Sequence, residues 1–379
     1  MEILYNKNMV EKFDVIVIGG GVAGLQISKL LSQAKLNACL IDAKPDLLKL
    51  NFYTLGSYLN LKEYGLTTKV IASQLSEVVV HSQHLSLKKN CQAYILDKYQ
   101  LHKELLTQIQ ANGVTIKTGT RVTSFTTHPN GEMNQVIDSQ GKSHQARIFV
   151  DATGVSGVIS RAIGLQDKIL KVATGLEYDV QYLGSPSQAH LFIGKDIKGS
   201  YGWIFPTGNQ RAILGLGAIN QQTKSNLKQK LDSLFNYPSI KSLINKDRKE
   251  LYGGSIPITD VKKQIVYKNI VAIGDSISQV HPLIGEGYRF ILRTGQIAAP
   301  YIIKAIKTKD INKLTGYEQE WTQTFYQQYK IAKSIRNIME TVTCSDLATN
   351  LTSLWISCPK YQAIANELTV RISWRKLLI

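Results

Sequence analysis

Cysteine is scarce. The four residues (Cys39, Cys91, Cys344 and Cys358) among 379 are widely separated and fit no metal-ligand or paired-redox spacing. That excludes a zinc module and a disulfide scaffold, and the thiols read as reduced and structural. No apolar run reaches the roughly 18–20 residues that a membrane-spanning helix needs; Ile270–Ile273 and Ala298–Ile303 are short. The opening residues show no secretory pattern, because Lys7, Glu11 and Lys12 interrupt it and the apolar stretch runs straight into glycines. These absences read as a cytoplasmic protein. No internal repeat is present. Acidic residues are also few, 28 against 45 basic ones, for a formal net charge of +17. The basic residues are scattered, with small clusters at Lys224–Lys230, Lys246–Lys249, Lys262–Lys268 and Lys304–Lys309. None interleaves with exposed aromatics, so nucleic acid is not an expected partner. The surplus suits a solvated surface, an anionic head group, or peripheral contact with the inner face of a membrane.

What the chain does contain begins at Phe13. Phe13–Ile18 is an apolar run of the buried parallel-strand type. After it come Gly19-Gly20-Gly21-Val22-Ala23-Gly24, a helical stretch Leu25–Ala34, and a second strand Asn37–Ile41 that ends at Asp42. This is a β-turn-α-β unit carrying G-x-G-x-x-G. Gly19 permits the tight turn, Gly21 lets the backbone approach a pyrophosphate, and Gly24 lets helix and strand pack closely. The helix N-terminus, at Val22 and Ala23, favours phosphate charge. Asp42, eighteen residues beyond Gly24, is spaced to bind both ribose hydroxyls of an adenosine. Position alone leaves FAD and NAD both open.

Further on, Asp97–Gln110 repeats Leu101, Leu105 and Ile109 at helical spacing and ends at Gly113. Residues 173–219 are strand-rich, which implies a second sheet. A helical stretch over 221–244 follows, then a strand at Ile270–Ile273, a helix over Gly287–Ile306 and a mainly helical tail. Tyr201, Trp203 and Phe205 fall on one face of a strand by period two. Such a row fills space in an ordinary core, or it walls a pocket for a flexible apolar chain. His281 reads equally as a structural histidine, and Glu286 as a solvent-facing turn carboxylate.

Two motifs follow strands, Asp151-Ala152-Thr153-Gly154 and Gly274-Asp275, and after the second comes His281-Pro282-Leu283-Ile284-Gly285-Glu286-Gly287 ahead of a helix. They resemble the D-A-x-G and G-D…P-x-x-G-x-G signatures of the FAD family that includes aromatic hydroxylases, geranylgeranyl reductases, lycopene cyclases and flavin halogenases. Tyr201-Gly202-Trp203-Ile204-Phe205-Pro206 resembles the Y-x-W-x-F-P segment of the geranylgeranyl reductases, Ile213–Gly217 resembles the strand after it, and Gly285-Glu286-Gly287 matches their G-E-G variant. The likeness runs from Phe13 to about Ile306. It departs from the pattern at Lys98, which stands where arginine is usual, at Thr207, at Ser276–Ser278, and over Leu47–Gly65, where Phe52 and Tyr53 replace a glycine- and cysteine-rich turn.

The resemblance to the geranylgeranyl reductases, within the p-hydroxybenzoate hydroxylase-like flavoproteins, implies an α/β fold. A Rossmann-like FAD-binding domain spans 1–172 and 255–306, a β-rich substrate domain is inserted at 173–254, and a helical region covers 307–379. It implies FAD held by Gly19, Gly21, Ala23, Gly24, Asp42, Lys98, Asp151, Gly154, Gly274, Asp275, Pro282, Gly285, Glu286 and Gly287. It implies an apolar, isoprenoid substrate against Tyr53, Tyr201, Trp203, Phe205 and Pro206, with Tyr201 and Glu286 as candidate proton donors. No second G-x-G-x-x-G holds a nicotinamide, so electrons are expected from transient NAD(P)H or a small redox protein, and no metal is expected. The implied reaction is reduction of carbon–carbon double bonds. The rivals are a monooxygenase, a lycopene cyclase-like enzyme, and a non-catalytic FAD- or lipid-holding protein. A halogenase would need tryptophan at 201 and isoleucine at 205, where Tyr201 and Phe205 stand.

Overall fold

The computed structural model describes residues 11–342, apart from 53, 83–85, 194–196, 198–199, 220–223 and 283–284. Tyr53, Cys344 and Cys358 therefore lie outside the described residues.

The first sheet forms where the sequence is most apolar. Strands β1 (Lys12–Ile18), β2 (Ala38–Ile41), β9 (Ser143–Asp151) and β16 (Ile270–Ala272) are flanked by β6 (Thr115–Lys117) and β15 (Val266–Tyr267) in the order β15-β16-β9-β1-β2-β6. The pairs β1–β2, β1–β9, β2–β6 and β9–β16 are parallel. Val15, Ile16 and Val17 are fully buried, as expected for a parallel sheet covered on both faces. A hairpin of β7 (Val122–Thr127) and β8 (Met133–Asp138) extends from β9. Helices Val22–Gln33, Lys98–Ala111 and Tyr288–Thr308 share one core with this sheet.

The second sheet has the order β14-β10-β13-β12-β11-β4-β5-β3. Its members are β3 (Thr54–Ser57), β4 (Ile71–His81), β5 (Ser86–Asp97), β10 (Val172–Tyr182), β11 (Gln188–Phe192), β12 (Ser200–Gly208), β13 (Arg211–Ile219) and β14 (Ile244–Pro257). Three of these strands lie within 54–97, a span that the sequence reading gave wholly to the nucleotide-binding region. The reason is local. Register shifts between Ile71 and Ser73 and between Leu75 and Glu77 interrupt the two-residue alternation, so only Val78–Val80 reads as strand. One face of this sheet packs Leu176, Tyr178, Val180, Leu214 and Leu216 against helix Lys224–Leu234. The other face looks toward the nucleotide-binding end.

The C-terminal helices are anchored, not loose. Trp321 Nε1 donates to Thr294 Oγ1 (3.1 Å), Tyr317 OH to the carbonyl of Ala272 (3.0 Å), and Tyr329 OH to the carbonyl of Gln279 (2.7 Å).

On the second sheet His81 Nε2 meets His190 Nδ1 at 3.0 Å, and His190 Nε2 meets Tyr182 OH at 3.0 Å. Burial pushes both imidazoles down to about 4, with His81 and Lys88 adding to the effect on His190. Burial likewise lowers His102 to about 3 and His281 to about 4. A histidine depressed in the folded state contributes stability that is complete above its unfolded value of about 6.5 and is lost as the pH falls from there toward 4. Asp275, raised to about 6 by burial, works in the opposite direction but is a single group. The urea midpoint is therefore expected to drop clearly between about pH 7.5 and about pH 5, whereas equal midpoints would contradict this burial of neutral imidazoles.

Candidate functional site

The nucleotide end is built by glycines with different tasks. Gly19 has φ +107°, and a Cβ there would lie 2.2 Å from the carbonyl oxygen of Ala152. A Cβ on Gly24 would lie 1.8 Å from the carbonyl oxygen of Gly19, so the helix packs on the end of the strand only because Gly24 lacks a side chain. Gly21 differs: its φ is −73°, and no atom of the described residues lies within 4 Å of its missing Cβ. Any residue could adopt that backbone, so the glycine is needed only if something else approaches. Gly21 caps helix Val22–Gln33 with no side-chain hydrogen bond and no acidic residue in the first turn. Such a helix start is ready to accept an anion. Ala23 has a packing role, its methyl lying against Gly274.

Asp42 closes the turn from below. Its Oδ2 accepts from the Gly20 N–H (2.5 Å) and its Oδ1 from the Lys44 N–H (2.6 Å). It remains half-exposed and keeps lone pairs for hydroxyl donors.

Asp151 corrects the sequence reading. Its carboxylate is fully buried and accepts from Thr153 N and Oγ1, Ile159 N, and Ser160 N and Oγ. With both oxygens so engaged it holds the turn that carries Gly154 (φ +64°) and is not left free for a cofactor.

Across the cleft, Gly274 (φ +72°) starts the turn that presents Asp275. Asp275 Oδ1 is shielded and has no hydrogen-bond partner among the described residues. Lys98, the first residue of helix Lys98–Ala111, points its ammonium over the rings of Phe52 (5.5 Å) and Tyr288 (5.2 Å). Burial lowers Lys98 to about 8, Glu177 and Asp275 pull it back up, and Lys44 lowers it again. Two lysines thus repel each other beside an uncapped helix start, an arrangement that an anion between them would relieve. These residues fit the pyrophosphate and ribityl part of a flavin dinucleotide. If Lys98 serves that anion, FAD affinity is expected to fall as the pH rises through about 8, and Lys98→Met should flatten the profile. Titrating apoprotein with FAD at several pH values checks it, and parallel profiles would refute the role.

The turn at 285–287 is fixed by its own backbone. The Gly285 N–H donates to the His281 carbonyl (3.0 Å) and the His281 N–H to the Glu286 carbonyl (2.9 Å). Gly285 needs its φ of +67°, and a Cβ on Gly287 would lie 2.9 Å from Val280. Pro282 is half-buried and its carbonyl accepts from Arg336 Nη1 (3.3 Å). Glu286 is buried, with Oε1 accepting from Ser57 Oγ (2.5 Å) and Oε2 from Arg289 Nη2 (3.0 Å). That geometry corrects two expectations. Glu286 is not a solvent-facing carboxylate, and with its two oxygens taken by Ser57 and Arg289 it is tied into the protein and not presented to a substrate as a proton donor. Its work is to tie the turn to β3. His281 is buried and stacked on Phe290 at 5.0 Å, and neither ring nitrogen has a hydrogen-bond partner among the described residues.

The substrate face rests on a row of glycines. Tyr201 pairs with Gly217, Gly217 with Gly175, and Gly175 with Gly254, across β12, β13, β10 and β14. Trp203 pairs with Gly215 and lies over it so closely that a Cβ there would be 2.1 Å from the indole. Phe52 lies on Gly254 and Gly175 in the same way. The rings of Tyr201 and Trp203 are 5.4 Å apart, and those of Trp203 and Phe205 6.1 Å. Tyr201 OH comes within 3.5 Å of the point where a side chain on Gly285 would begin, which brings the aromatic row to the glycine turn. Tyr201 is 39% exposed, yet burial raises its phenol; both hold for a ring lining a deep cleft that water can enter. Pro206 is corrected by alternation: with Gly202 and Ile204 it points to the opposite face, where Gly202 meets Leu234.

Lys44, Ser57, Glu177, Arg289 and the glycine row were not found from sequence. Glu177 is buried on the cleft face of β10 and pairs directly with Gly215, whose other neighbour is Trp203. Alternation in Gly175-Leu176-Glu177-Tyr178 was the signal available for it. No group of three or more metal-ligating side chains occurs among the described residues.

Residues 14–340 match the family model described as lycopene cyclase protein. Among curated proteins, a digeranylgeranylglycerophospholipid reductase of Methanosarcina acetivorans is 23% identical over 360 residues, covering 89% of this chain and 88% of that protein. One of the same name from Haloferax volcanii is 25% identical over 338 residues, covering 83% and 82%. Among solved structures, a geranylgeranyl bacteriochlorophyll reductase-like protein from Thermoplasma acidophilum superimposes with TM-score 0.84 at 19% identity, covering 94% of this chain and 96% of that one. A probable FAD-dependent monooxygenase from Pseudomonas aeruginosa gives 0.70 at 16% identity, covering 89% and 98%.

Proposed function

This chain belongs to the lycopene cyclase protein family, and from that premise we propose that it is an FAD-dependent oxidoreductase that saturates carbon–carbon double bonds of a polyprenyl or similarly long apolar substrate. The observation that carries the reading is the aromatic row Tyr201–Trp203–Phe205 on its glycine floor, brought up to the Gly285 turn. The names of the curated relatives favour a reductase over a cyclase.

FAD would be held by the Gly19–Gly24 backbone, Asp42, Lys44, Lys98, Asp275 and the Gly285–Gly287 turn. Bound there in its reduced form, it would supply a hydride to one carbon of the double bond. Trp203, Phe205 and Phe52, seated on the glycine floor, hold the chain against their rings and exclude water. Tyr201 delivers the proton to the other carbon: its ring reaches the Gly285 turn, and a phenol carries its proton through the neutral range. Glu286, paired with Arg289, holds the turn still.

Electrons come from transient NAD(P)H or from a small redox protein. The +17 charge supports peripheral binding to an anionic membrane, at about 1 kcal/mol per basic residue near the surface and screened by salt. No helix among the described residues is long and apolar enough to cross a membrane. Flotation with anionic liposomes at low salt but not at high salt is the expected outcome, and no flotation at either would refute it.

The reading as a whole is tested by product mass. Dithionite-reduced holoprotein given geranylgeranyl substrates should yield products heavier by two hydrogens per double bond. A product of unchanged mass with a new ring would make the enzyme a cyclase.

A further inference from the structure

Ile169 is the most exposed large hydrophobic side chain among the described residues: it is 88% exposed, and Leu183, next in order, is 55%. It stands in Asp167-Lys168-Ile169-Leu170-Lys171, a loop anchored at both feet. On one side Leu165 and Gln166 are buried, and Gln166 Nε2 donates to Ser278 Oγ (2.8 Å). On the other, the Lys171 N–H donates to Thr259 Oγ1 (2.7 Å) and the Lys171 carbonyl accepts from the Ile258 N–H (2.8 Å). The fixed ends leave only the middle of the loop outside, with its apolar tip held in water. A second loop, 259–264, lies beside it. Lys262 Nζ donates to the Gly164 carbonyl (3.1 Å) and pairs with Asp167 (3.0 Å), and Asp260 pairs with Lys333 of helix Gln327–Val342. Both aspartates of this surface are therefore neutralised. Lys168, Lys171, Lys263 and Lys330 are exposed and pair with no carboxylate among the described residues. Lys263 and Lys330 both stand over the Tyr326 ring, at 5.2 and 6.0 Å.

We propose that this surface docks the protein on an anionic lipid bilayer. Ile169 enters the boundary of the acyl chains, and Lys168, Lys171, Lys263 and Lys330 lie at the level of the head groups. This rests on the peripheral membrane binding proposed for the chain and deepens it by naming the face that binds. A bilayer is favoured over an acidic protein because a lone protruding aliphatic side chain needs a partner soft enough to receive it anywhere, whereas a protein would need a matching pocket. Lysines around such a tip add attraction to anionic head groups. The face also leads to the cleft. The first loop runs into β10 and the second follows β14, where Val172 pairs with Pro257 and Gly175 with Gly254. Those glycines carry Phe52, and Ile256 Cδ1 comes within 3.3 Å of the point where a side chain on Gly285 would begin. Gly175 is six residues (175 − 169) from Ile169, a chain length of at most about 22 Å, so docking here brings the cleft floor near the bilayer.

The test titrates FAD-loaded protein with vesicles of phosphatidylcholine and phosphatidylglycerol at low salt. Lys168, Ile169 and Lys171 are exposed, so their variants should fold and keep FAD. Vesicle binding is expected to weaken at least about tenfold in Ile169→Ser, and likewise in the double variant Lys168→Glu/Lys171→Glu. Ile169→Trp keeps an apolar tip suited to the membrane interface. It should bind at least as well as the wild type, and brominated lipid should quench its added fluorescence. The control is Lys304→Glu/Lys307→Glu, the same charge change at two exposed positions near the far end of helix Tyr288–Thr308, expected to alter binding less than about threefold. If the wild type binds and Ile169→Ser binds equally well, this face is the wrong one although membrane binding stands. The same holds if the control loses as much as the lysine variant. Loss in the lysine variant alone, with Ile169→Ser unchanged, would point to an acidic protein as partner and also overturn the assignment. A wild type that binds no vesicle removes the membrane reading itself, and this face with it.

Discussion

Gly21→Ala is expected to leave the apoprotein as stable as the wild type while lowering FAD affinity more than about tenfold, or roughly 1.4 kcal/mol. The backbone of Gly21 is ordinary and the space beside it is open, so in the apoprotein the new methyl meets nothing. It would stand where a pyrophosphate has to approach the helix start. Gly24→Ala is the contrasting variant. Its methyl would be 1.8 Å from the Gly19 carbonyl oxygen, and helix Val22–Gln33 would have to lift from β1. Forcing extra carbon into such a contact costs about 1–3 kcal/mol or more, so this variant should lose thermal stability with or without FAD. Urea unfolding of both apoproteins together with FAD titration separates the two effects. A destabilised Gly21→Ala apoprotein, or one that binds FAD normally, would place the phosphate elsewhere.

Trp203→Ala is expected to slow alkene-dependent reoxidation of the reduced enzyme by about a hundredfold, since displacing a reacting atom by about 1 Å costs that much. FAD affinity should stay within about twofold, because the Trp203 indole lies over Gly215, Gly217 and Gly175 of the second sheet. The indole is 8% exposed, so some stability will also be lost. Trp203→Phe controls for this by keeping an aromatic plane on the glycine floor and should restore most of the rate. If Trp203→Ala reoxidises as fast as the wild type with a true substrate, the ring is core and the chain runs elsewhere.

Much of this site was legible in the sequence because its motifs are backbone devices. Gly19, Gly24, Gly274 and Gly285 are glycines for reasons of sterics or φ that hold in any fold containing the turn, and Asp42 is set by spacing along the chain. Side chains whose partners come from distant segments were not legible. Asp151 and Asp275 look alike in sequence as carboxylates after strands. The first is consumed by Thr153 and Ser160, and the second faces the cleft near Lys98. Glu286 depends on Ser57, 229 residues away, and no local pattern announces that pairing. Pro206 was misread because the motif was taken as a block, whereas alternation sends every second residue to the opposite face. The glycine row could be recognised only once the register of four strands was known, because each glycine alone looks like a weak point in a strand.

The most direct test of a reductase acting on a prenyl double bond is a single turnover under strict anaerobiosis. The enzyme is photoreduced with its FAD bound and mixed with a geranylgeranyl substrate while the flavin absorbance is followed. Reoxidation without oxygen, with one double bond saturated for each flavin oxidised, is the expected result. A flavin that stays reduced until oxygen is admitted, and then yields an oxygenated product, would contradict it and make the protein a monooxygenase.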